Sequence, residues 1–318
     1  MNYNATGMRM LVTLVAGAAF VGACGLLPSV YDGTGAPREA AIVPLKSERP
    51  LVGLALGGGG ARGFAHIGVI KALEAAGIVP DIVTGSSSGA VIAALYAAGH
   101  NGSELEDIAL AVERSDIVDF ALFGNGWVLG EALQAFVNRM VKNRPIERLE
   151  RPFAVVATAA KSGRMVVFNR GNTGVAVRAS ASVPNLFVSP VINGEAFVDG
   201  GLASPVPVRV ARAMGADVVI AVDVSWFAQA RGAESAGAAR PGRGGRYASL
   251  LSDELEAADI IITPRTAYTR MLDFDQKKVN IAAGDAAGRE ALEPLAAAIA
   301  RATADKAAAL PARDSATN

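Results

Sequence analysis

The stretch LVGLALGGGGARGFAHIGVIKALEAAG, residues 51–77, holds an apolar run, a glycine loop and an amphipathic segment in direct succession. The run LVGLAL (51–56) predicts a buried strand, because short apolar runs bounded by turn residues are typical of strands covered on both faces. Beyond the loop, apolar residues recur at helical spacing, at Phe64, Ile67, Ile70 and Leu73. This spacing predicts a helix that ends at Gly77.

The same order of strand and helix continues along the chain. DIVTG (81–85) predicts a second strand and GAVIAALYAAG (89–99) a second helix. FAVVATAA and RMVVFNR predict two strands around a KSG turn, and DVVIAVDV predicts a fully buried strand. The alternation predicts an α/β protein with a mostly parallel central sheet and helices on both faces.

Composition narrows the classes of function. The chain has 318 residues and a formal net charge of zero, so we expect no nucleic-acid partner, which would require a basic surface. Hydrophobic residues make up 51% of the chain and aromatic residues 6%, which favours a packed α/β protein over a disordered one. No internal apolar stretch reaches the roughly 18 residues of a membrane span.

The amino-terminal segment differs from the rest. An apolar run from Met10 to Ala23 follows a single positive charge, which predicts a signal peptide over residues 1–23. The run ends in VGAC and resembles the lipobox of bacterial lipoproteins, although Val21 stands where leucine is usual. The resemblance implies acylation of Cys24 and a lipid anchor in the bacterial cell envelope. Gly25, rather than aspartate, stands at the next position, which resembles the pattern of lipoproteins sorted to the outer membrane. The expected location is therefore the periplasmic face of the outer membrane. Plain secretion and an uncleaved anchor are the alternatives.

Four further boundaries follow from composition. Residues 24–50 are rich in Pro, Gly and Ser, which predicts a linker between anchor and domain. The folded domain is predicted at 51–300, and within it the Gly-, Ala- and Arg-rich stretch 229–247 is predicted to be a mobile surface loop. Residues 301–318 are predicted to form a polar tail.

The glycine loop fits two kinds of site. Gly58, Gly60 and Gly63 match G-x-G-x-x-G, the dinucleotide-binding fingerprint. That fingerprint needs an acidic residue at the end of the second strand, whereas Asp81 precedes this strand and is predicted at the opposite end of the sheet. Successive glycines at a helix start also direct amide groups at one point, which suits a phosphate or an oxyanion.

The run Gly85-Ser86-Ser87-Ser88-Gly89 is G-x-S-x-G between a predicted strand and a predicted helix. This pattern is typical of a nucleophile elbow, whose central serine is exposed at the top of the sheet. Ser87 is therefore the candidate nucleophile. The elbow glycines Gly85 and Gly89 leave the turn free of side chains, and Ser86 and Ser88 are small residues that fit a crowded turn.

The base that would accept the proton of Ser87 has more than one candidate. His100 lies thirteen residues later on a helix, about 20 Å away at 1.5 Å per residue. His66 lies in the first turn of the preceding helix and remains a candidate. Asp199, in FVDGGLASPVP (197–207), ends a predicted strand and is expected at the same edge as the elbow. An Asx turn or a helix cap is the alternative role for this aspartate.

Taken together, these motifs resemble the patatin-like phospholipase family, and in particular its bacterial members. The matching segments lie between residue 52 and about residue 225, in the family's order: GGGGARGFAHIGVIKALEAAG, GSSSG, VRASASVPNLFVSPV and VDGGLASPVPVRVARAMGADVVIAVD. The stretches ADIIITP and MLDFDQ also resemble it. The stretch ATAAKSG (157–163) departs from the pattern, because no acidic residue follows its threonine.

The resemblance implies a patatin-like three-layer α/β sandwich, related to the α/β hydrolases, with a Ser–Asp dyad and no catalytic histidine. Ser87 corresponds to the nucleophile and Asp199 to its base, and His66 becomes a structural helix residue. The other corresponding residues are Gly58, Gly59, Gly60 and Arg62 in the oxyanion-hole segment, Gly200 and Gly201 in the DGG motif, and Ser180 through Pro184 in the wall of the site.

The activity implied is that of a serine acyl-ester hydrolase whose substrate is a fatty-acyl ester, a phospholipid or a lysophospholipid of the membrane. An acyltransferase using the same site and a non-catalytic, membrane-tethered lipid-binding protein are the alternatives. We expect no cofactor and no metal, because two isolated histidines and one cysteine give no ligand spacing. The sequence does not indicate an oligomeric state.

Overall fold

The computed structural model describes residues 29–120, 128–225, 245–267 and 270–309. The strands in these ranges are β1 Val30–Tyr31, β2 Val52–Leu56, β3 Ile82–Ser86, β4 Phe153–Ala159, β5 Met165–Phe168, β6 Val191–Ile192, β7 Glu195–Val198, β8 Val218–Val222 and β9 Ile260–Ile262. The helices are α1 Ala65–Ala75, α2 Ser88–Ala97, α3 Gly102–Ala111, α4 Glu131–Met140, α5 Thr173–Ser180, α6 Val208–Ala213, α7 Gly245–Leu255, α8 Lys277–Glu290 and α9 Leu292–Ala309. Short 3₁₀ turns occupy Gly60–Phe64, Arg114–Asp116, Ile146–Arg148 and Gly200–Leu202.

The strands form one mixed sheet in the order β1-β6-β7-β4-β3-β2-β8-β9, and β5 also pairs with β4. Its centre, from β4 through β3, β2 and β8 to β9, is parallel. In the register of these strands, Leu56 pairs with both Gly85 and Val222. The carboxyl ends of β2, β3 and β8 therefore meet at one edge of the sheet, which is where ligand sites of open α/β sheets lie.

Alternate residues of the central strands enter two separate cores, as the two-residue period of a strand requires. Leu54, Val83 and Val155 pack against α1, α2, α4, α5, α8 and α9. Ala55 and Ala154 face the other way and pack against α6 and α7. The structure is thus a three-layer α/β sandwich, and the predicted mostly parallel sheet with helices on both faces is confirmed.

The chain between Ser29 and Pro50 differs from the predicted linker, because it is bound to the domain. Its β1 runs parallel to β6. Ala40 exchanges two hydrogen bonds with the Asn169 side chain, at 2.8 and 2.9 Å, and the Leu45 N–H donates to the Met214 carbonyl at 2.9 Å. Backbone groups and single side chains hold this segment in place. Such contacts need no hydrophobic periodicity, so the sequence does not reveal them.

Two other predicted boundaries are corrected. Of the predicted loop 229–247, residues 229–244 lie outside the described residues, and the chain from Gly245 onward is helix α7, whose Leu251 and Leu255 are buried one turn apart. Helix α9 runs to Ala309, so it includes the beginning of the predicted tail, 301–318. The high helix propensity of its alanine-rich sequence explains the extension.

Among the described residues, no helix combines the length and the apolar character that crossing a bilayer requires. The predicted signal peptide, residues 1–23, and the predicted acylation site Cys24 lie outside the described residues.

Candidate active site

Ser87 occupies the sharp turn between β3 and α2. Its backbone has φ +53° and ψ −126°, a conformation that residues other than glycine rarely adopt. Such a backbone costs on the order of 1–3 kcal/mol and persists only where the surroundings impose it. This strained turn is the geometry that the G-x-S-x-G pattern predicts.

The two elbow glycines have no room for a side chain. A Cβ atom on Gly89 would lie 2.2 Å from the carbonyl oxygen of Leu56, and one on Gly85 would lie 2.5 Å from the Cα of Ala90. Both contacts are with backbone, which cannot move aside as a flexible side chain does. The elbow therefore packs directly on β2 and on its own helix.

The structure brings Ser87 and Asp199 together. The Ser87 hydroxyl donates a hydrogen bond to Asp199 Oδ2 at 2.6 Å, and the Gly201 N–H donates to Oδ1 at 2.8 Å. The backbone of Asp199 is also held, because its N–H donates to the Ser182 carbonyl and its own carbonyl accepts from the Thr158 hydroxyl, both at 2.8 Å. The carboxylate thus acts as a cap for the turn through one oxygen and contacts Ser87 through the other.

Asp199 lies at the same edge of the sheet as the elbow, but it does not follow a parallel strand as the sequence predicts. Strand β7, which Asp199 follows, is antiparallel to β4, with Val198 paired to Thr158. An antiparallel strand ends at the opposite edge from its neighbours. Asp199 still reaches Ser87 because β7 is short: its last residue, Val198, pairs with Thr158 next to the carboxyl end of β4, and Gly200 then lies against the Val156 carbonyl.

Burial sets the charge state of Asp199. It raises the pKa of this carboxyl from 3.8 to about 6, and the hydrogen bonds from Ser87 and Gly201 oppose the rise by stabilising the charged form. At pH 7 and above the group is mainly ionised. It is then able to accept a proton from Ser87.

Neither histidine of the chain hydrogen-bonds to Ser87. His66 is fully buried and its Nε2 lies 2.8 Å from the Gly57 carbonyl, while burial lowers its pKa to about 4. His100 lies beyond the far end of α2 and its Nε2 is 3.0 Å from the Met140 carbonyl. Of the candidate bases, only Asp199 contacts the serine.

The glycine loop lies directly against Ser87, but most of its amides are already bonded. A Cβ on Gly58 would come within 3.0 Å of the Ser87 Cβ. The Gly58 N–H donates to the Pro205 carbonyl at 3.1 Å, and the Gly59 N–H donates to the Ser88 hydroxyl at 3.0 Å. Among the described residues, the Gly60 N–H has no hydrogen-bond acceptor. It is the amide of the three that remains open to a ligand.

A largely apolar pocket of about 350 Å³ opens over these groups. Aliphatic and aromatic side chains from several elements line it. Its polar lining residues are Arg62, Ser87, Ser88, Asp199, Ser225 and Tyr247. The Nε of Arg62 donates to the Val224 carbonyl at 2.9 Å. The pocket has the composition of a site for an apolar ligand with one polar group to be recognised.

The segment predicted to form the wall of the site does so. Ala181, Val183 and Pro184 line the pocket. Ser180 makes a contact that sequence reasoning missed, since its hydroxyl accepts a hydrogen bond from the Ser87 N–H at 2.9 Å. This bond fixes the backbone of the elbow.

Two other residues of the site were not predicted. Thr158 belongs to ATAAKSG, the stretch that departs from the family pattern, yet its hydroxyl holds the Asp199 carbonyl. Tyr247 lines the pocket, and burial followed by the charges of Asp223 and Asp199 raises the pKa of its hydroxyl. No sequence signal locates Tyr247, because it follows a low-complexity stretch and precedes any clear periodicity.

The structure argues against a dinucleotide site at the glycine loop. Asp81 lies before β3, at the opposite edge of the sheet from the loop, and accepts a hydrogen bond from the Val52 N–H at 2.9 Å. It is too far from the loop to bind a ribose there. Within the described ranges, no group of three or more His, Cys, Asp or Glu side chains could hold a metal ion.

Comparison with known proteins identifies the family of the chain. The model of the family described as Patatin-like phospholipase matches residues 54–212. An uncharacterised NTE family protein of Mycobacterium tuberculosis is 35% identical over 191 residues, which cover 59% of this chain and 53% of that protein. Patatin-like phospholipase domain-containing protein 6 of Mus musculus is 36% identical over 182 residues, which cover 54% of this chain and 13% of that protein.

The chain therefore spans about half the length of the mycobacterial relative and a small part of the mouse one. Among solved structures, VipD from Legionella pneumophila is similar with a TM-score of 0.55 and 12% sequence identity. The likeness covers 83% of this chain and 71% of VipD. It shows a shared fold.

Proposed function

This chain belongs to the patatin-like phospholipase family, and from that premise we propose that it is a serine-dependent hydrolase of fatty-acyl esters. The observation that carries the proposal is the 2.6 Å hydrogen bond from Ser87 to the buried carboxylate of Asp199, at the floor of an apolar pocket. A serine on a strained elbow next to a base is the arrangement of an activated nucleophile.

In the acylation step, the Ser87 oxygen attacks the ester carbonyl carbon and its proton passes to Asp199 Oδ2. The electron pair of the carbonyl bond moves onto oxygen and forms a tetrahedral oxyanion. When this intermediate collapses, the alcohol leaves and takes the proton back from Asp199. The Gly201 N–H keeps the carboxylate oriented toward Ser87 throughout, because it binds the other oxygen.

The amide of Gly60 is the donor best placed to stabilise the oxyanion, since it has no acceptor among the described residues. The Gly59 amide becomes a second donor if its bond to the Ser88 hydroxyl is exchanged for one to the oxyanion. One such donor is worth roughly 3–4 kcal/mol of transition-state stabilisation. The guanidinium of Arg62, which also lines the pocket, adds positive charge nearby.

Deacylation repeats these steps with water as the nucleophile. Asp199 accepts a proton from the water as its oxygen attacks the acyl carbon. It then returns the proton to Ser87 when the fatty acid leaves. One carboxylate therefore serves both halves of the reaction, and neither histidine is needed.

The apolar lining of the pocket fits the acyl chain of a lipid better than a polar substrate. We propose membrane phospholipid or lysophospholipid as the substrate class. In the same proposal, acylation of Cys24 in the VGAC motif tethers the domain to the bacterial envelope, on the periplasmic face of the outer membrane. The tether would hold the pocket close to its lipid substrate.

The test is fatty-acid release from lysophosphatidylcholine micelles by the full chain. Ser87→Ala removes the nucleophile, and we expect a rate at least about a thousandfold below the parent. Ser86→Ala is the matched control, because the Ser86 hydroxyl is buried without a hydrogen-bond partner among the described residues. Its rate should match the parent. Release by Ser87→Ala at the parent rate would exclude the proposal, and transfer of the acyl group to an added alcohol instead of water would assign an acyltransferase.

A further inference from the structure

One peptide group of the glycine loop is held from both sides. The carbonyl of Gly57 accepts a hydrogen bond from His66 Nε2 at 2.8 Å, and the N–H of Gly58 donates to the Pro205 carbonyl at 3.1 Å. A peptide group is planar and trans, so its C=O and N–H point in opposite directions. The two bonds together therefore fix the plane of the Gly57–Gly58 peptide.

This plane helps to set where the rest of the loop lies, together with the bonds from the Gly59 N–H to the Ser88 hydroxyl and from the Ala61 N–H to the Met271 carbonyl. Four successive glycines, 57–60, have little conformational preference of their own and depend on external bonds for a defined shape. Gly58 lies against Ser87, and the amides of Gly59 and Gly60 follow directly. Rotation of the Gly57–Gly58 peptide would move both amides relative to the Ser87 hydroxyl.

The chemistry of His66 fits this single contact. A carbonyl oxygen only accepts hydrogen bonds, so Nε2 carries the proton and Nδ1 does not. Nδ1 is buried without a partner among the described residues, which means that the ring forfeits the hydration of one nitrogen. Burial lowers the pKa of His66 to about 4. The imidazole therefore stays neutral, and keeps this tautomer, at every pH at which Asp199 is mainly ionised. A residue needed only to fill space here would be apolar.

We infer that His66 is a positioning residue of the proposed hydrolase: its Nε2–H holds the Gly57 carbonyl and thereby aims the loop amides at the oxyanion. His66 takes no proton from Ser87 and acts only through the loop. The inference rests on the proposed function for the reaction that it supports.

The experiment compares kcat and KM of three full-length variants on a soluble short-chain nitrophenyl ester. His66→Phe keeps a ring and removes the donor, and we expect kcat to fall about 10- to 100-fold while KM changes less than about threefold. His66→Gln places a carboxamide N–H near the position of Nε2, and kcat should stay within about threefold of the parent. His100→Phe is the matched control, because it removes a similar contact, to the Met140 carbonyl, far from the site.

If His66→Phe does not fold, a comparison of His66→Asn with His66→Gln still tests the inference. His66→Asn carries the same carboxamide as His66→Gln on a shorter side chain that does not reach the Gly57 carbonyl. We expect the asparagine variant to be slow and the glutamine variant to be fast. The pH dependence of kcat/KM should keep the same acid limb in the parent and in the glutamine variant, since Asp199 remains the base.

Three results would overturn the inference. They are an unchanged kcat in both His66→Phe and His66→Asn, an equally low kcat in the glutamine and asparagine variants, and a shift of the acid limb in His66→Gln. If the parent has Ser87-dependent turnover and one of these results is found, only the role of His66 fails. If the parent has no turnover that depends on Ser87, the proposed function fails and the inference with it.

Discussion

Two opposing effects set the pKa of the Asp199 carboxyl. Burial among the sheet edge, the elbow and the Gly200–Leu202 turn disfavours its charge, whereas the bonds from Ser87 and Gly201 favour it. The balance leaves the pKa at about 6. A base whose pKa approaches the working pH accepts a proton more readily than an ordinary aspartate and is still ionised at neutral pH.

The pH dependence of hydrolysis should therefore report Asp199. We expect kcat/KM on a soluble ester to be constant above pH 7 and to fall about tenfold per pH unit well below pH 6, because the protonated carboxyl cannot act as a base. Initial rates between pH 4 and 9 measure this. An acid limb centred near pH 4 would instead point to a carboxylate without the raised pKa.

The same group links stability to pH. Because the folded-state pKa is raised, Asp199 favours folding below about pH 4, and this contribution is lost as pH rises through about 6. Asp199→Asn stays neutral, so it should be more stable than the parent at pH 8, by up to about 3 kcal/mol, and nearly equal at pH 4. Urea unfolding at both values measures the difference. Lower stability of the variant at pH 8 would show that burial does not destabilise the ionised form of Asp199.

At the scale of elements, helix α1 is fixed by an unusually close crossing with α8. A Cβ on Gly68 would lie 1.9 Å from the Ile281 carbonyl oxygen, and one on Gly284 would lie 1.9 Å from that of Ala65. The two helices therefore pack backbone against backbone at these points. Since α1 follows the glycine loop and carries His66, α8 packs behind the candidate oxyanion site.

Gly68→Ala should be strongly destabilising, because the methyl group meets backbone that can move only with the whole helix. We expect a loss of about 3 kcal/mol or more in the free energy of unfolding, measured with urea. Gly35→Ala is the control, since nothing lies within 4 Å of its added Cβ. Equal stability of the two variants would mean that α1 and α8 do not cross as closely as the structure has them.

Elements that depend on neighbouring residues alone could be predicted from the sequence. Helix α1, the elbow at Ser87 and the hairpin of β4 and β5 all followed from apolar spacing and glycine positions. The direction of β7 did not, because strand pairing depends on a partner that lies far away in the sequence. Asp199 was a candidate base because it follows a predicted strand, and the family resemblance favoured it over His66. The contacts of Thr158 with Asp199 and of Ser180 with Ser87 emerge only from the folded chain.

At the scale of the whole molecule, the amino-terminal segment is connected to the site. Buried Arg178 on α5 donates to the Tyr31 hydroxyl of β1 and to the Leu129 carbonyl, and Tyr31 in turn donates to Gln134 of α4 at 2.6 Å. Helix α5 ends at Ser180, which holds the Ser87 N–H. The linker that composition predicts for residues 24–50 does not by itself account for this connection.

Tyr31→Phe tests whether this segment is bound in solution. Loss of the hydroxyl leaves the buried guanidinium of Arg178 with one acceptor fewer, and we expect a loss of about 1–3 kcal/mol in the free energy of unfolding. Val30→Ala changes an exposed neighbour on the same strand and should be nearly neutral. No effect of Tyr31→Phe would indicate that the segment is free.

The central claim is that Ser87 is the nucleophile and Asp199 its base. Its most direct test is the rate and position of covalent labelling by a fluorophosphonate, followed by mass spectrometry with fragment ions that separate Ser86, Ser87 and Ser88. We expect a single adduct on Ser87 of the full chain, and labelling about a hundredfold or more slower in Asp199→Asn. An adduct on another residue, or labelling of Asp199→Asn at the parent rate, would contradict it.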